Sequence, residues 1–278
     1  MYFFRREKIQ CRYQFSLRDA VDITLLQRAL TAALASAPYY TQRLVQEKRE
    51  MWLEPNTEPC LVYPGSTMRN IPEQTNGYLF CVSCEGDTVY FDWHHFLLDG
   101  HGVSPLLTSI LEQYCNLRYG TAFAVPQIVC DPPYDMEAML AEYPPVEGGS
   151  DAIQRDVVQT YEGALRRTRV CLSKQSLVEK ALANNAKPVS TLVSLLCMAM
   201  REYLGKENIQ YSYSSDTRDV AGVPNALYNC VCSFEHTVQL QAQTRLADFV
   251  SDVDADIKRD LQPQSKRRRM TEQMGWVY

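Results

Sequence analysis

The sequence has no apolar run of about 18 residues, so nothing in it has the length and uniform hydropathy of a membrane-spanning helix. It has neither G-x-x-x-x-G-K nor G-x-G-x-x-G, which removes the glycine loops that cradle nucleotide phosphates. It has no G-x-S-x-G, the strained elbow that exposes a nucleophilic serine. Basic residues are in the minority, 28 against 33 acidic, for a net charge of −5. With a pI near 5.5 this argues against a nucleic-acid footprint. The start, Met1-Tyr2-Phe3-Phe4-Arg5-Arg6, puts aromatics before the basic pair and lacks the order of a secretion signal. Histidine is scarce, at four residues.

What remains is ordinary globular material, 46% apolar and 22% charged over 278 residues. That length suits two domains of modest size, each with its own core. Ten cysteines, with no export signal, predict a cytoplasmic chain with reduced thiols. Cys81, Cys171, Cys197, Cys230 and Cys232 sit in apolar surroundings and are expected to be buried. Cys81-Val82-Ser83-Cys84 has C-x-x-C spacing but no second pair for zinc. It also lies in an alternating strand pattern, whereas a redox pair would open a helix.

Alternation predicts strands over 9–17, 43–53, 78–84 and 88–93, the last two joined by Glu85-Gly86-Asp87 as a hairpin. Asp22 is placed to cap a helix carrying Leu25, Leu26, Ala29, Leu30, Ala33 and Leu34 on one face, which Pro38 stops. A second helix is predicted over 103–119, with Leu106, Leu107, Ile110, Leu111 and Tyr114 facing inward. Residues 121–150 are rich in proline and break the pattern, as a surface crossover would. Beyond them come a strand over 161–172 and helices over 174–185 and 188–203. The second of these is apolar along Leu192, Leu195, Leu196 and Ala199. Strands over 209–214 and 228–240 and a helix over 244–261 follow. Strands and helices in mixed order, with hairpins, predict an α+β fold with a mixed, mostly antiparallel sheet.

Chemistry concentrates in Phe91-Asp92-Trp93-His94-His95-Phe96-Leu97-Leu98-Asp99-Gly100-His101-Gly102, which holds three of the four histidines. A histidine at a strand end suits proton transfer from a hydroxyl, amine or thiol, if one ring nitrogen is tied and the other free. Gly100 and Gly102 would permit a tight turn that supplies the tie, where side chains would clash. Two other readings stand beside it. One is a satisfied polar turn with no chemistry. The other is a metal held by His94, His95, Asp99 and His101, which the opposite facing of adjacent strand residues hinders.

The segment resembles the His-His-x-x-x-Asp-Gly signature of the chloramphenicol acetyltransferase-like superfamily. That group includes condensation domains, BAHD acyltransferases and alcohol acetyltransferases. The resemblance implies that His95 is the catalytic base, that His94 packs away from it, and that Asp99 and Gly100 have structural roles. Ser215-Asp216-Thr217-Arg218-Asp219, with the loop and strand after it, resembles a second element of the superfamily. It makes Arg218 the expected partner of Asp99. Asn229 then either lines the substrate channel or caps a strand. Lys266-Arg267-Arg268-Arg269 is either a solvated helix end or a site for an anionic group such as a coenzyme A phosphate. His236, alone in a strand, is expected to be structural.

The resemblance further implies a two-layer fold of two similar halves, with helices on one face of each sheet and a tunnel between the halves. On this chain the halves fall at 1–125 and 156–278, with a linker over 126–155. Members usually run past about 400 residues, so the second half is expected to be incomplete. The Asp-Phe-Gly-Trp-Gly element of the BAHD branch is absent, and Met274-Gly275-Trp276-Val277-Tyr278 does not replace it. The implied activity is acyl transfer from acyl-CoA or acyl-pantetheine, as co-substrate, to a hydroxyl or amine acceptor, with no bound cofactor and no metal. The implied partners are a small-molecule acceptor and an acyl carrier protein, with self-association expected if apolar surface is left open. Two non-catalytic alternatives stand: a relative that binds a carrier protein or small ligand, and an interaction scaffold.

Overall fold

The computed structural model describes residues 10–48, 50–95, 97–125, 127–144 and 171–275. The strand expected over 161–172 lies almost wholly outside them, as do Gly148-Gly149 and the last three residues. The chain forms two compact units. One is Met1–Tyr134 with Ala221–Val231; the other is Asp135–Val220 with Cys232–Trp276. A division made along the sequence has no place for such a return segment.

The first unit is built on a four-stranded sheet in the order β1-β6-β5-β4. Its strands are β1 (Gln10–Ser16), β4 (Val62–Pro64), β5 (Phe80–Glu85) and β6 (Thr88–His94). β6 pairs antiparallel with both β1 and β5, while β4 joins β5 in parallel, so the sheet is mixed and mostly antiparallel. Gly86, at φ +59, turns β5 into β6 where a side chain would be strained. Phe80, Val82 and Cys84 face Trp93, Phe91 and Val89 across the pair. All six join one apolar cluster with residues of α1 (Ile23–Ala35) and α2 (Gly100–Tyr119). Phe80 and Phe91 stack at 5.4 Å. Period-2 strands and period-3.6 helices meet on this face because each has one apolar side to hide.

The N-cap of α1 is Asp22, whose carboxylate accepts from the N–H groups of Thr24 and Leu25 at 2.9 and 3.0 Å. Its own N–H donates to the Tyr114 hydroxyl at 3.0 Å, which joins the start of α1 to the middle of α2. On the other face of β6, Asp92 is fully buried and takes two hydrogen bonds from Arg12, at 2.6 and 2.7 Å. The hydrogen bonds to Asp92 in this fork-on-carboxylate pair raise the Arg12 pKa.

Residues 43–53 do not form one strand. They form the hairpin of β2 (Gln42–Glu47) and β3 (Glu50–Pro55), which turns with Lys48 at φ +52. The turn falls in Gln46-Glu47-Lys48-Arg49-Glu50, a charged run that a half-buried strand would have to bury.

The second unit has a two-stranded sheet of β7 (Asn208–Asp216) and β8 (Val231–Gln239). Around it are helices α3 (Met136–Glu142), α4 (Lys174–Ala183), α5 (Pro188–Leu204), the single turn α6 (Arg218–Ala221), α7 (Leu246–Asp260) and α8 (Pro263–Gly275). α3 lies inside the stretch expected to be an irregular crossover, and α8 was not expected. The core here is small: Cys197, Ile209, Leu240, Phe249, Val253 and Ile257.

α5 faces the opposite way from its apolar pattern. It buries Ser190, Thr191, Ser194 and Cys197 and leaves Leu196, Met200 and Leu204 exposed. The reason is Asp254 on α7, which is buried and accepts from Ser190 Oγ at 2.6 Å, the Lys187 N–H at 3.3 Å and Lys258 Nζ at 2.6 Å. A buried carboxylate needs donors, and the hydroxyl side of α5 supplies one of the three through Ser190. Among the described residues no helix is long and apolar enough to cross a membrane. All ten cysteines are free; Cys81, Cys84, Cys197, Cys230 and Cys232 are buried, whereas Cys171, expected inside, is exposed.

Candidate functional site

The histidine segment follows β6 in the first unit. His94, the last strand residue, is fully buried, and its N–H donates to the Leu79 carbonyl at 2.8 Å. His95 is the first residue of the turn and is half-buried. The turn closes when the Leu97 N–H reaches the His94 carbonyl at 3.0 Å.

Side chains near and far in sequence pin the backbone of this loop. The Leu97 carbonyl accepts from the Tyr39 hydroxyl at 2.9 Å, and the Leu98 carbonyl accepts from the Trp93 indole N–H at 3.1 Å. Burial pushes the Tyr39 phenol far up, so it serves only as a neutral donor. Tyr40, from the same 3₁₀ turn (Pro38–Thr41), donates to the Gly102 carbonyl at 2.7 Å. The sequence reading passed over Tyr39 and Tyr40; the doubled tyrosine after Pro38 was the only signal.

Asp99 is the N-cap of α2. One carboxylate oxygen accepts from the Gly102 N–H at 2.8 Å. The other accepts from the Cys230 N–H at 2.9 Å, so a single carboxylate joins the histidine loop to the return segment. That segment is held at two further points. The Asn225 N–H donates to Asp131 at 2.7 Å, and the Tyr228 hydroxyl donates to the Pro132 carbonyl at 3.0 Å.

The two glycines lie in a helix and not in the expected turn, but the expected clash with a side chain is present at Gly102. Both lie in the first turn of α2, and neither has a positive φ. A Cβ on Gly102 would stand 1.8 Å from the Leu227 carbonyl oxygen, so the position is glycine because another backbone approaches there. A Cβ on Gly100 would stand 3.1 Å from the Tyr13 hydroxyl.

Asn229 comes in beside His95. Its Nδ2 lies 3.1 Å from His95 Nδ1 and 3.3 Å from the His95 carbonyl, and its Oδ1 accepts from the Val231 N–H at 3.2 Å. The structure therefore brings His95, Asn229, Asp99 and Gly100 together within the first unit, with His94 packed beneath.

Arg218 belongs to the second unit. It is buried, and both its backbone N–H and its Nη1 reach the Asp216 carboxylate, at 2.9 and 3.1 Å. Three residues of the basic run are tied down within the second unit, while Arg268 is exposed. Lys266 Nζ lies 2.9 and 3.0 Å from the two oxygens of Asp219; Arg267 Nε donates to the Val220 carbonyl at 3.2 Å, and Arg269 Nε to the Ser233 carbonyl at 2.6 Å. His236 lies 2.6 Å from Asp260 Oδ2 and stacks on Tyr211 and Tyr213. Among the described residues no group of histidine, cysteine, aspartate and glutamate is placed to hold a metal.

No protein-family model and no curated protein matches the chain. Solved structures do. Polyketide synthase associated protein 5 from Mycobacterium tuberculosis superposes with a TM-score of 0.70 at 19% identity, over 93% of this chain and 71% of that one. The epimerization domain from the third module of tyrocidine synthetase B gives 0.65 at 14% identity, over 98% and 72%. The chain has the condensation-domain fold. The first condensation domain of the CDA synthetase agrees, at 0.60 and 16% identity over 93% of this chain and 70% of that one. This is the chloramphenicol acetyltransferase-like fold that the histidine segment pointed to. In the condensation fold found here, the histidine loop sits between a buried strand of the mixed sheet and the N-terminus of a long helix. The chain spans about 70% of the length of the three structures.

Proposed function

We propose that the chain transfers an acyl group from a thioester, on coenzyme A or on carrier-protein pantetheine, to a hydroxyl or amine, with His95 as general base. The acceptor O–H or N–H gives its proton to His95, and the freed lone pair attacks the thioester carbonyl. Collapse of the tetrahedral adduct breaks the carbon–sulfur bond, and the departing thiolate recovers the proton from the imidazolium. Transfer is direct, as the lack of a serine elbow in the sequence suggests.

One observation carries this reading. His95 is half-buried on a loop whose Leu97 and Leu98 carbonyls and cap carboxylate are tied down, in a fold shared with condensation domains. Such a loop holds an imidazole in one geometry, and general-base catalysis requires that. Condensation-type neighbours also support a carrier protein as the thioester's bearer.

The test is thiol release from a panel of acyl-CoA and acyl-pantetheine thioesters with added alcohols and amines. His95→Ala should lose about 10²–10⁴-fold in turnover with an unchanged circular dichroism spectrum. Wild-type turnover in that variant overturns the base assignment. Tight binding of a pantetheinylated carrier protein, with no thiol released from any thioester, would instead mark a non-catalytic carrier-binding domain.

A further inference from the structure

We infer that Asn229 is a positioning residue that holds neutral His95 as the Nε2–H tautomer, so that the resting ring offers its outer partner an N–H and not a lone pair. The argument begins with the amide. Asn229 Oδ1 accepts from the Val231 N–H at 3.2 Å, which turns the NH₂ group towards His95. There Nδ2 meets the His95 carbonyl at 3.3 Å, an acceptor only, so the NH₂ is a donor on that side from both directions. The same Nδ2 lies 3.1 Å from His95 Nδ1. If Nδ1 carried a hydrogen, two N–H groups would point at each other across that distance. If Nδ1 keeps its lone pair, the contact is a hydrogen bond, and the ring hydrogen goes to Nε2.

This has a consequence for the proposed reaction, and that consequence rests on the acyl-transfer reading. A base that works through Nε2 needs its hydrogen on Nδ1, which the Asn229 contact disfavours. Asn229 is exposed, so its side chain can swing away without unpacking the core. The resting state is thus a hydrogen-bond donor to an incoming oxygen. It becomes a base once Asn229 releases Nδ1. The tautomer itself rests on the geometry alone.

The experiment is ¹⁵N NMR of the histidine rings in the full chain, at a pH where they are neutral, with the His95 signals assigned by their loss in His95→Gln. Wild type should show an acceptor-type Nδ1 and a protonated Nε2. A hydrogen bond of ordinary net strength biases the ratio by about five-fold, so Asn229→Ala should lower the Nε2–H preference by about that factor. Asn229→Asp places an acceptor against Nδ1 and should reverse the preference. A protonated Nδ1 in the wild type, or a ratio unchanged in Asn229→Asp, overturns the inference. Thiol release is read separately. If no thioester is cleaved while the tautomer is as stated, the acyl-transfer reading fails and the Asn229 assignment stands.

Discussion

The two units solve the same packing problem in different ways. The first buries aromatic and aliphatic side chains face to face, and its one deep carboxylate on the sheet, Asp92, is matched by a bidentate arginine. The second orients a helix for the sake of a carboxylate. α5 buries its serines and threonine, with Ser190 donating to Asp254, and leaves Leu196 and Leu204 in the open. Apolar burial is worth roughly 1.5–3 kcal/mol for each large side chain. An ionised carboxylate without donors costs several kcal/mol, enough to offset the burial of one or two such side chains. Hydrophobic periodicity is therefore a sound guide to a core only where no buried charge competes.

Removing a fully buried ring from the aromatic core tests the first half of this contrast most strongly. Phe91→Ala should cost about 3–5 kcal/mol, seen as a lower urea midpoint followed by Trp93 fluorescence. Gly102→Ala should cost about 1–3 kcal/mol, because the Leu227 carbonyl must retreat. It should also raise amide exchange at Cys230, whose N–H is held by Asp99 on the same loop. An unchanged exchange rate there would count against the close approach.

The second unit should instead respond to acid. Burial opposes the ionisation of Asp254, but hydrogen bonds from Lys258, Ser190 and the Lys187 N–H outweigh it and hold the carboxyl below its ordinary value. The folded value is lower than the unfolded value of about 3.9, so the stabilisation is complete above that pH. It is lost as pH falls through the folded value. Asp254→Asn should flatten the loss of stability below about pH 4, read by amide exchange in α5 and α7. Smallest of all, Leu196→Gln on the exposed side of α5 should change stability by less than about 0.5 kcal/mol, whereas the apolar pattern alone predicts a core-sized loss.

Much of the first unit was legible in advance. The β5–β6 hairpin shows in alternation and Gly86, and the two helices show in their periodicity and in the Asp22 cap. These depend on neighbours in sequence. The β2–β3 turn was missed because its charged residues were read as the polar half of a strand. The histidine segment was visible as a motif, and Asp99 could have been recognised as a helix cap three residues before Gly102. Its second partner, the Cys230 N–H, could not. Neither could the hydroxyls of Tyr39 and Tyr40, which reach residues 58 and 62 positions away. The sequence also placed Gly102 in a tight turn, where the structure has the first turn of a helix meeting another backbone.

By itself, the order of residues determined most local elements of the first unit, the position of its histidine loop and the fold that loop points to. Those follow from apolar spacing, capping and backbone freedom over a few residues. Only the tertiary structure decided which side of α5 is inside, why Gly102 is glycine, and which nitrogen of His95 meets Asn229. Each of these depends on a group brought in from far along the chain, and no local pattern encodes the demands of a hydrogen-bond partner that arrives from elsewhere.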